Sequence, residues 1–573
     1  MTSLTNEQKD ALDQEIDAAI PFGILAELGR EVALLHLLRY QAAVLDEQEK
    51  LTSSQDHKRL LDRFRDAVNI ATGWIFKICT PSGVLPPQTT DPEVLRIMSQ
   101  LLSASLRYSA VLDVMNVIRQ ELKNVELNEN TVVTSFSDDR VKNLDVIDSA
   151  VSLPEPSIDN IDFESVCRQL NETGNLRSDA LYEIEYKIDP NAFDLARDTI
   201  LRQIETPWTL NPAWDVGGYT LAQYRVFWVH LQTFAFIHNL FCGWAADRLP
   251  YPNGAIRYPV NSAIPVRDRD DWIKFICALT ELDESVVGTI IDDLTLDFKL
   301  LIRTPAENGK PANKLTDAVY QPFVPIGDFL ALNTTAVQSS NAERNHWDLL
   351  SVLRPSIFDS LSSKKESYWL DQLKPVLEKH GLKIRTIKVK DGDVDAMVFD
   401  EVGKFAVAIQ MKFLMQPDRI KRKDIDLVRK GQTQIMQGVA WIKENLKLAA
   451  EKLKMKESEL AEYNIQPLVL TKNSMLIGYL PDEIPVLNEF ILLGLLERTQ
   501  PLSIRQIWLI AKHKLYCKNI NTLYSEMAKT LTFGDKIFEV QDYSLQRDWN
   551  LDSDIDFEQL ETLSKTSAVT IAE

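Results

Sequence analysis

The chain has 573 residues, of which 45% are hydrophobic and 25% charged, and a formal net charge of −20. Such a length and balance predict a multi-domain globular protein with sizeable cores. The acidic excess excludes a protein coated in nucleic acid over its whole surface, so any nucleic-acid site needs local basic surface. Residues 341–499 are roughly neutral, with basic and acidic side chains nearly balanced, so the acidic excess lies outside that region. The five cysteines are Cys79, Cys167, Cys242, Cys277 and Cys517. They are scattered and lack CxxC spacing, which predicts reduced thiols in a cytoplasmic protein. The first residues, MTSLTNEQKDALDQEID, carry no signal-like apolar region. No apolar run is expected to span a membrane, since Phe227 to Trp244 is interrupted by His230, Gln232, His238 and Asn239.

Residues 1–127 read as a helical domain. Apolar residues recur at spacings of three and four in AAIPFGILAELGREVALLHLLRYQAAVL and in PEVLRIMSQLLSASLRYSAVLDVMNVIRQEL. Asp91 followed by Pro92 has the form of a helix cap and first-turn proline. Residues 128–161, rich in Asp, Ser and Pro after the strand-like VVTSF, are expected as an acidic linker or loop. Residues 162–339 form a second helical block with a small β piece at 319–337. Its tryptophans, Trp208, Trp214, Trp228 and Trp244, fit a core stripe better than a base-stacking surface. His230 and His238, eight residues apart, are too far apart for a metal pair on one helical face and read as packing or capping residues. Residues 549–573 are expected as an acidic flexible tail.

Residues 340–548 predict helix, strand, strand, strand, helix, strand, the pattern of an α/β domain with a mixed sheet flanked by helices. Ser340 or Asn341 would cap the first helix and Gly381 would end the next. LKIRTIKVK, IQPLVLTKN and SMLIGYLP read as strands, and a helix is expected over about 425–454. Two strands between Asp391 and Phe413 carry polar residues where apolar ones would ordinarily sit. Asp393 and Asp395 alternate on the first, Gln410 and Lys412 on the second. Side chains repeat with period two along a strand, so each pair shares a face, and Phe405, Val407, Ile409, Met411 and Phe413 would form the opposite, core face. The same alternation fits an ordinary half-exposed strand. Phosphodiester hydrolysis needs an activated water and charge stabilisation at the phosphoryl oxygens. Asp395, the Gln410 side-chain oxygen and the Met411 carbonyl could offer oxygens to Mg²⁺ or Mn²⁺, with Lys412 acting on the water or the developing charge.

Glu366 on a helix, GDVD at 392–395, QMK at 410–412 and then a helix with GQTQIMQ together resemble the PD-(D/E)xK nuclease superfamily. The QxK form is similar to Mrr-type restriction endonucleases. The resemblance covers Ser362 to about Arg498 and implies a restriction-endonuclease-like fold. It also implies catalytic roles for Asp395, Gln410, Lys412 and Glu366, and metal ligation by Asp395, Gln410, Met411 and Glu366. Gln410 stands where the family usually has an acid, and the proline common before the aspartate is absent. Arg419, Lys421, Arg422 and Lys423, with Gln434 on the following helix, are candidates for nucleic-acid contact. The expected function is metal-dependent cleavage of nucleic acid, DNA foremost, in restriction or anti-phage defence, with no membrane association. The helical region would serve a protein partner or a second copy of the chain. The alternative is a non-catalytic nucleic-acid-binding or scaffold protein with a degenerate nuclease-like domain.

Overall fold

The computed structural model describes residues 4–49, 54–82, 89–151, 163–178, 184–203, 208–248, 260–297, 320–388, 393–415, 422–473, 475–480, 484–547 and 549–569. The N-terminal region is α-helical and the C-terminal part is α/β with a mixed sheet. Helices Arg30–Glu49, Ser54–Ile78 and Pro92–Arg119 pack through Leu34, Leu38, Val68, Ile75, Met98 and Leu101. Asp91 caps the third by accepting the N–H groups of Glu93 and Val94, with Pro92 in its first turn. Contrary to expectation, this helix is long and apolar enough to cross a membrane by length and composition. In the fold it spans two cores. Its second half, through Val111, Met115 and Ile118, lies on Val125, Val132, Phe533 and Phe538.

Those last contacts belong to a four-stranded sheet ordered 124–128, 131–135, 536–545, 524–533. Strand Thr131–Ser135 pairs parallel with Lys536–Leu545, Val132 opposite Phe538, so residues 406 positions apart share one ladder. The linker expected at 128–161 is therefore corrected over its described part. Beyond the strand, Asp139–Val151 is a helix that buries Val146, Ile147 and Val151. Residues 152–161 lie outside the described residues.

In the middle block, helix Leu221–Arg248 is buried along much of its length, with Tyr224, Phe227, Trp228 and Phe241 inside. The small β piece is real. Phe323–Ile326 and Phe329–Leu332 join Val266–Asp268 in a three-stranded sheet. The expected boundary at 339/340 does not separate two cores, because one continuous apolar cluster includes Leu210, Trp228, Trp272, Trp347, Ile409 and Leu487. Asn341 caps helix Ala342–Leu353 by accepting the Arg344 N–H.

The C-terminal sheet has five strands in the order 486–488, 464–471, 405–412, 393–400, 383–388. The last three form an antiparallel meander, and Phe405–Lys412 pairs parallel with Asn464–Thr471 after the crossover helix Arg422–Glu444. Strand Phe405–Lys412 is central and every residue in it is buried. The polar alternation thus does not divide core from solvent. One face carries Phe405, which meets Trp508, and continues to Phe413, which meets Trp369. On the other face the small Ala406 and Ala408 precede Gln410 and Lys412, and the helix Arg422–Glu444 lies over them. That helix ends at Glu444, short of the expected 454, and Leu446–Lys452 continues as a separate helix.

Two further readings are corrected. SMLIGYLP forms a 3-10 turn at Ile477–Tyr479 in place of a strand, and Val486–Asn488 supplies the edge strand. The tail expected after 549 is ordered as Leu551–Asp554 and Phe557–Val569, with Leu560 buried against helix Ile504–His513.

Candidate functional site

Strands Asp393–Asp400 and Phe405–Lys412 are paired from Phe405 opposite Asp400 to Ile409 opposite Ala396. Beyond that rung a side chain replaces the backbone partner. The Asp395 carboxylate, through Oδ2, accepts the Met411 N–H at 2.6 Å and the Gln410 Nε2–H at 2.6 Å. A carboxylate is a stronger acceptor than a carbonyl, so these two bonds hold the strand end. In an extended strand the N–H and C=O of one residue face the same edge. The Met411 carbonyl accordingly faces the Asp395 strand. Lys412, one residue on, turns to the other neighbour, where its carbonyl accepts the Lys472 N–H at 3.2 Å.

Gln410 is 2% exposed, and its Oε1 has no hydrogen-bond partner. An amide oxygen left dry in this way costs free energy that a cation or a donor would recover. Lys412 is 5% exposed, and its ammonium donates to Gln434 Oε1 at 3.1 Å. Among the described residues it meets no carboxylate. A buried ammonium that has a neutral amide acceptor and no anion is electrostatically incomplete. The two incomplete groups sit two positions apart on one face of one strand, beside a carboxylate. One wants a positive partner and the other a negative one.

Helix Arg422–Glu444 shapes the floor of the site. Gly431 packs on the Lys412 stem, and a Cβ there would stand 2.7 Å from Lys412 Cε. Gln432 Nε2 donates to the Ile484 carbonyl at 2.9 Å, so it ties the helix to the next connection. Gln434, anticipated as a nucleic-acid contact, is the Lys412 partner, and Gln437 is exposed. The role of Gly431 was missed. Its only sequence signal is a glycine inside an otherwise helical pattern, which usually has a packing reason.

Glu366 is half-buried in the first turn of helix Lys365–Lys379 and makes no hydrogen bond or ion pair with Asp395, Gln410 or Lys412. Its neighbours fix where that turn lies. Lys365 stands 5.2 Å from the Phe413 ring and 5.0 Å from Trp347, and Trp369 packs edge-on against Phe413 at 6.0 Å. The turn thus covers the end of the central strand. Trp369 Nε1 donates to Glu489 at 2.5 Å, and the other Glu489 oxygen is paired with Lys472. This ion pair, at the carboxyl ends of the two parallel strands, has no counterpart in the sequence pattern.

Arg419 and Lys421 lie outside the described residues, as do the side chains of Arg422, Lys423 and Asp393. Among the described residues no group of three or more His, Cys, Asp or Glu side chains is arranged to hold a metal. A divalent ion here would therefore depend on amide and backbone oxygens beside Asp395, which are hard oxygen donors of the kind Mg²⁺ accepts. The orphaned Gln410 Oε1 next to the Asp395 carboxylate fits such an ion. His230 and His238 take no part, since each bonds locally, His230 to Val226 and His238 to Tyr186 and Ser262. Compared with protein-family models, curated protein sequences and solved structures, the chain matches none.

Proposed function

We propose that the chain is a metal-dependent nuclease that hydrolyses phosphodiester bonds, with DNA as its substrate. The observation that carries this reading is the Lys412 ammonium, buried without an anion beside Asp395 and the unpartnered Gln410 oxygen. A phosphodiester supplies the missing negative charge. Asp395, Gln410 Oε1 and the Met411 carbonyl would hold Mg²⁺ or Mn²⁺, and Glu366 would join them through a water. The ion's chemistry would be to neutralise phosphoryl oxygens and to acidify a bound water. Lys412 would bind the scissile phosphate and stabilise the charge that grows on it in the transition state. Gln434 and Gly431 hold the lysine in place for that task. The basic segment 419–423 follows the site within a few residues and would contact the flanking phosphates. A cytoplasmic role in bacterial restriction or anti-phage defence extends the proposal by analogy with restriction enzymes.

The test is cleavage of plasmid and single-stranded DNA by the full chain with Mg²⁺ or Mn²⁺. Lys412→Ala and Asp395→Ala should each lose at least about a hundredfold in rate, as removal of a group that stabilises transition-state charge does. Equal cleavage by all three proteins would overturn the assignment. One observation favours a second reading, a non-catalytic binding or scaffold protein. Asp395 Oδ2 already receives two donors, and the neighbouring position is an amide in place of an acid. Under that reading the full chain binds DNA, shows no Mg²⁺- or Mn²⁺-dependent cleavage and takes up no divalent ion in a titration.

A further inference from the structure

Far from the strand site in sequence, the middle block encloses an open cavity of about 1460 Å³. Its walls are the hairpin Asn175–Ser178 with Ile184–Lys187, the helices Pro190–Gln203, Leu221–Arg248 and Arg269–Thr280, and the segment 262–267. Pockets for drug-sized ligands measure roughly 300–1,000 Å³, so the space admits a nucleotide with room to spare.

The cations of the wall are what distinguish it. Arg177, Lys187 and Arg267 line the cavity, and none of them has a carboxylate partner among the described residues. Three unpaired cations at one concavity run against the composition of a chain with net charge −20. Arg197 also lines the wall but is committed to Asp194 at 2.8 Å and Asp198 at 3.3 Å. Glu185 lies opposite Arg177 in the hairpin without pairing with it, and Glu281 is exposed at a helix end.

The cavity also offers aromatic faces. The Arg267 guanidinium lies 4.3 Å from the Phe275 ring and 5.3 Å from Trp272, which holds its plane while its donors stay available. Phe193 and His230 stack with centroids 6.1 Å apart and an interplanar angle of 27°. Burial lowers the pKa of His230, which favours the uncharged ring. Guanidinium and ammonium donors suit phosphate oxygens, and flat aromatic rings suit a base.

We propose that this cavity binds a nucleoside phosphate, its base on the Phe193–His230 surface and its phosphates at Arg267, Lys187 and Arg177. The same chemistry is carried by a free nucleotide and by the phosphorylated end of a strand. Two probes separate these sources with the full chain: mant-ATP, read by fluorescence and competed with ATP, and a short 5′-phosphorylated oligothymidylate. Saturable binding of either is expected. Arg267→Ala and Lys187→Glu should each weaken it about tenfold or more. Lys187 is exposed on the hairpin, so its variant decides the matter if Arg267→Ala unfolds. No saturable binding of either probe, or affinity unchanged in Lys187→Glu, would overturn the proposal.

Discussion

Lys412 is a buried cation whose stem is clasped by a glycine, and the two facts belong together. A side chain at position 431 would strike Lys412 at Cε and Cγ, at 2.7 and 3.2 Å. The far end of a lysine can move, so Gly431→Ala should displace the ammonium more than it strains the backbone. In a helix interior alanine is favoured over glycine by roughly 1 kcal/mol, which offsets part of the overpacking cost of about 1–3 kcal/mol. The melting temperature should therefore change little. Cleavage should fall about tenfold or more, because misplacing a catalytic group by an ångström is expensive. Parallel melting curves and cleavage rates check this, and unchanged cleavage would make the Gly431 contact mere packing. At this scale the sequence was legible where period two applied. Asp395, Gln410 and Lys412 were singled out by polar residues in an apolar run, and the structure joins Asp395 to Gln410 and Met411. What was not legible lay across long separations. Gln434 as the acceptor for Lys412, and the Glu489 link to Trp369 and Lys472, depend on which elements pack together, which no local pattern encodes.

Among the elements, the helix Asp139–Val151 bears most on the C-terminal part, and it fell in a stretch whose Asp and Ser content suggested a linker. The pattern misled because its polar residues are themselves buried. Asp145 accepts hydrogen bonds from the hydroxyls of Tyr479 and Tyr543. Asp148 has no hydrogen-bond partner for either oxygen, although the Ile477 and Gly478 N–H groups lie close enough to favour its charge. Burial, with Asp145 alongside, pushes the Asp148 carboxyl well above its usual range. A carboxyl raised in the folded state binds its proton more tightly there than in the unfolded chain. Its contribution to stability is full below the ordinary carboxylate value and is lost as pH rises through the folded value. Asp148→Asn should therefore raise the melting temperature by a few degrees at pH 7 and leave it unchanged near pH 3. A melting series across that range checks it, and an equal shift at both ends would sink the explanation. The turn at Ile477–Tyr479 departs from the expected strand for a related reason. Its apolar residues are fixed by tertiary contact, with Gly478 against the Asp145 backbone and Arg429 donating to the Tyr479 carbonyl at 3.0 Å. The central strand and its crossover helix were legible because both carry strong periodicity.

For the molecule as a whole, the question is whether residues 340–573, the domain expected at 340–548 together with the segment after it, can stand alone. Three kinds of contact oppose it. Glu343, buried, accepts N–H bonds from Thr209 and Leu210 at 2.7 to 2.9 Å. Arg354 forms a two-pronged pair with Asp293 at 2.7 and 2.9 Å, and the Tyr219 hydroxyl donates to the same carboxylate. Trp214 packs on Trp347 and Tyr368. Excision would strip the partners from Glu343 and Arg354 and expose to water the apolar surface that Trp347 and Tyr368 bury against Trp214, against a total stability of only about 5–15 kcal/mol for a domain. It would also strip strand Thr131–Ser135 from Lys536–Leu545 and leave a long bare edge open to aggregation. A fragment of residues 340–573 should accordingly be insoluble or lack a cooperative thermal transition. The full chain should lose its near-ultraviolet signal from both halves at one temperature, since a shared core unfolds as a unit. A soluble, monomeric fragment with a sharp melt would show that the strand site is an independent domain and that the contacts to the middle block are incidental to it.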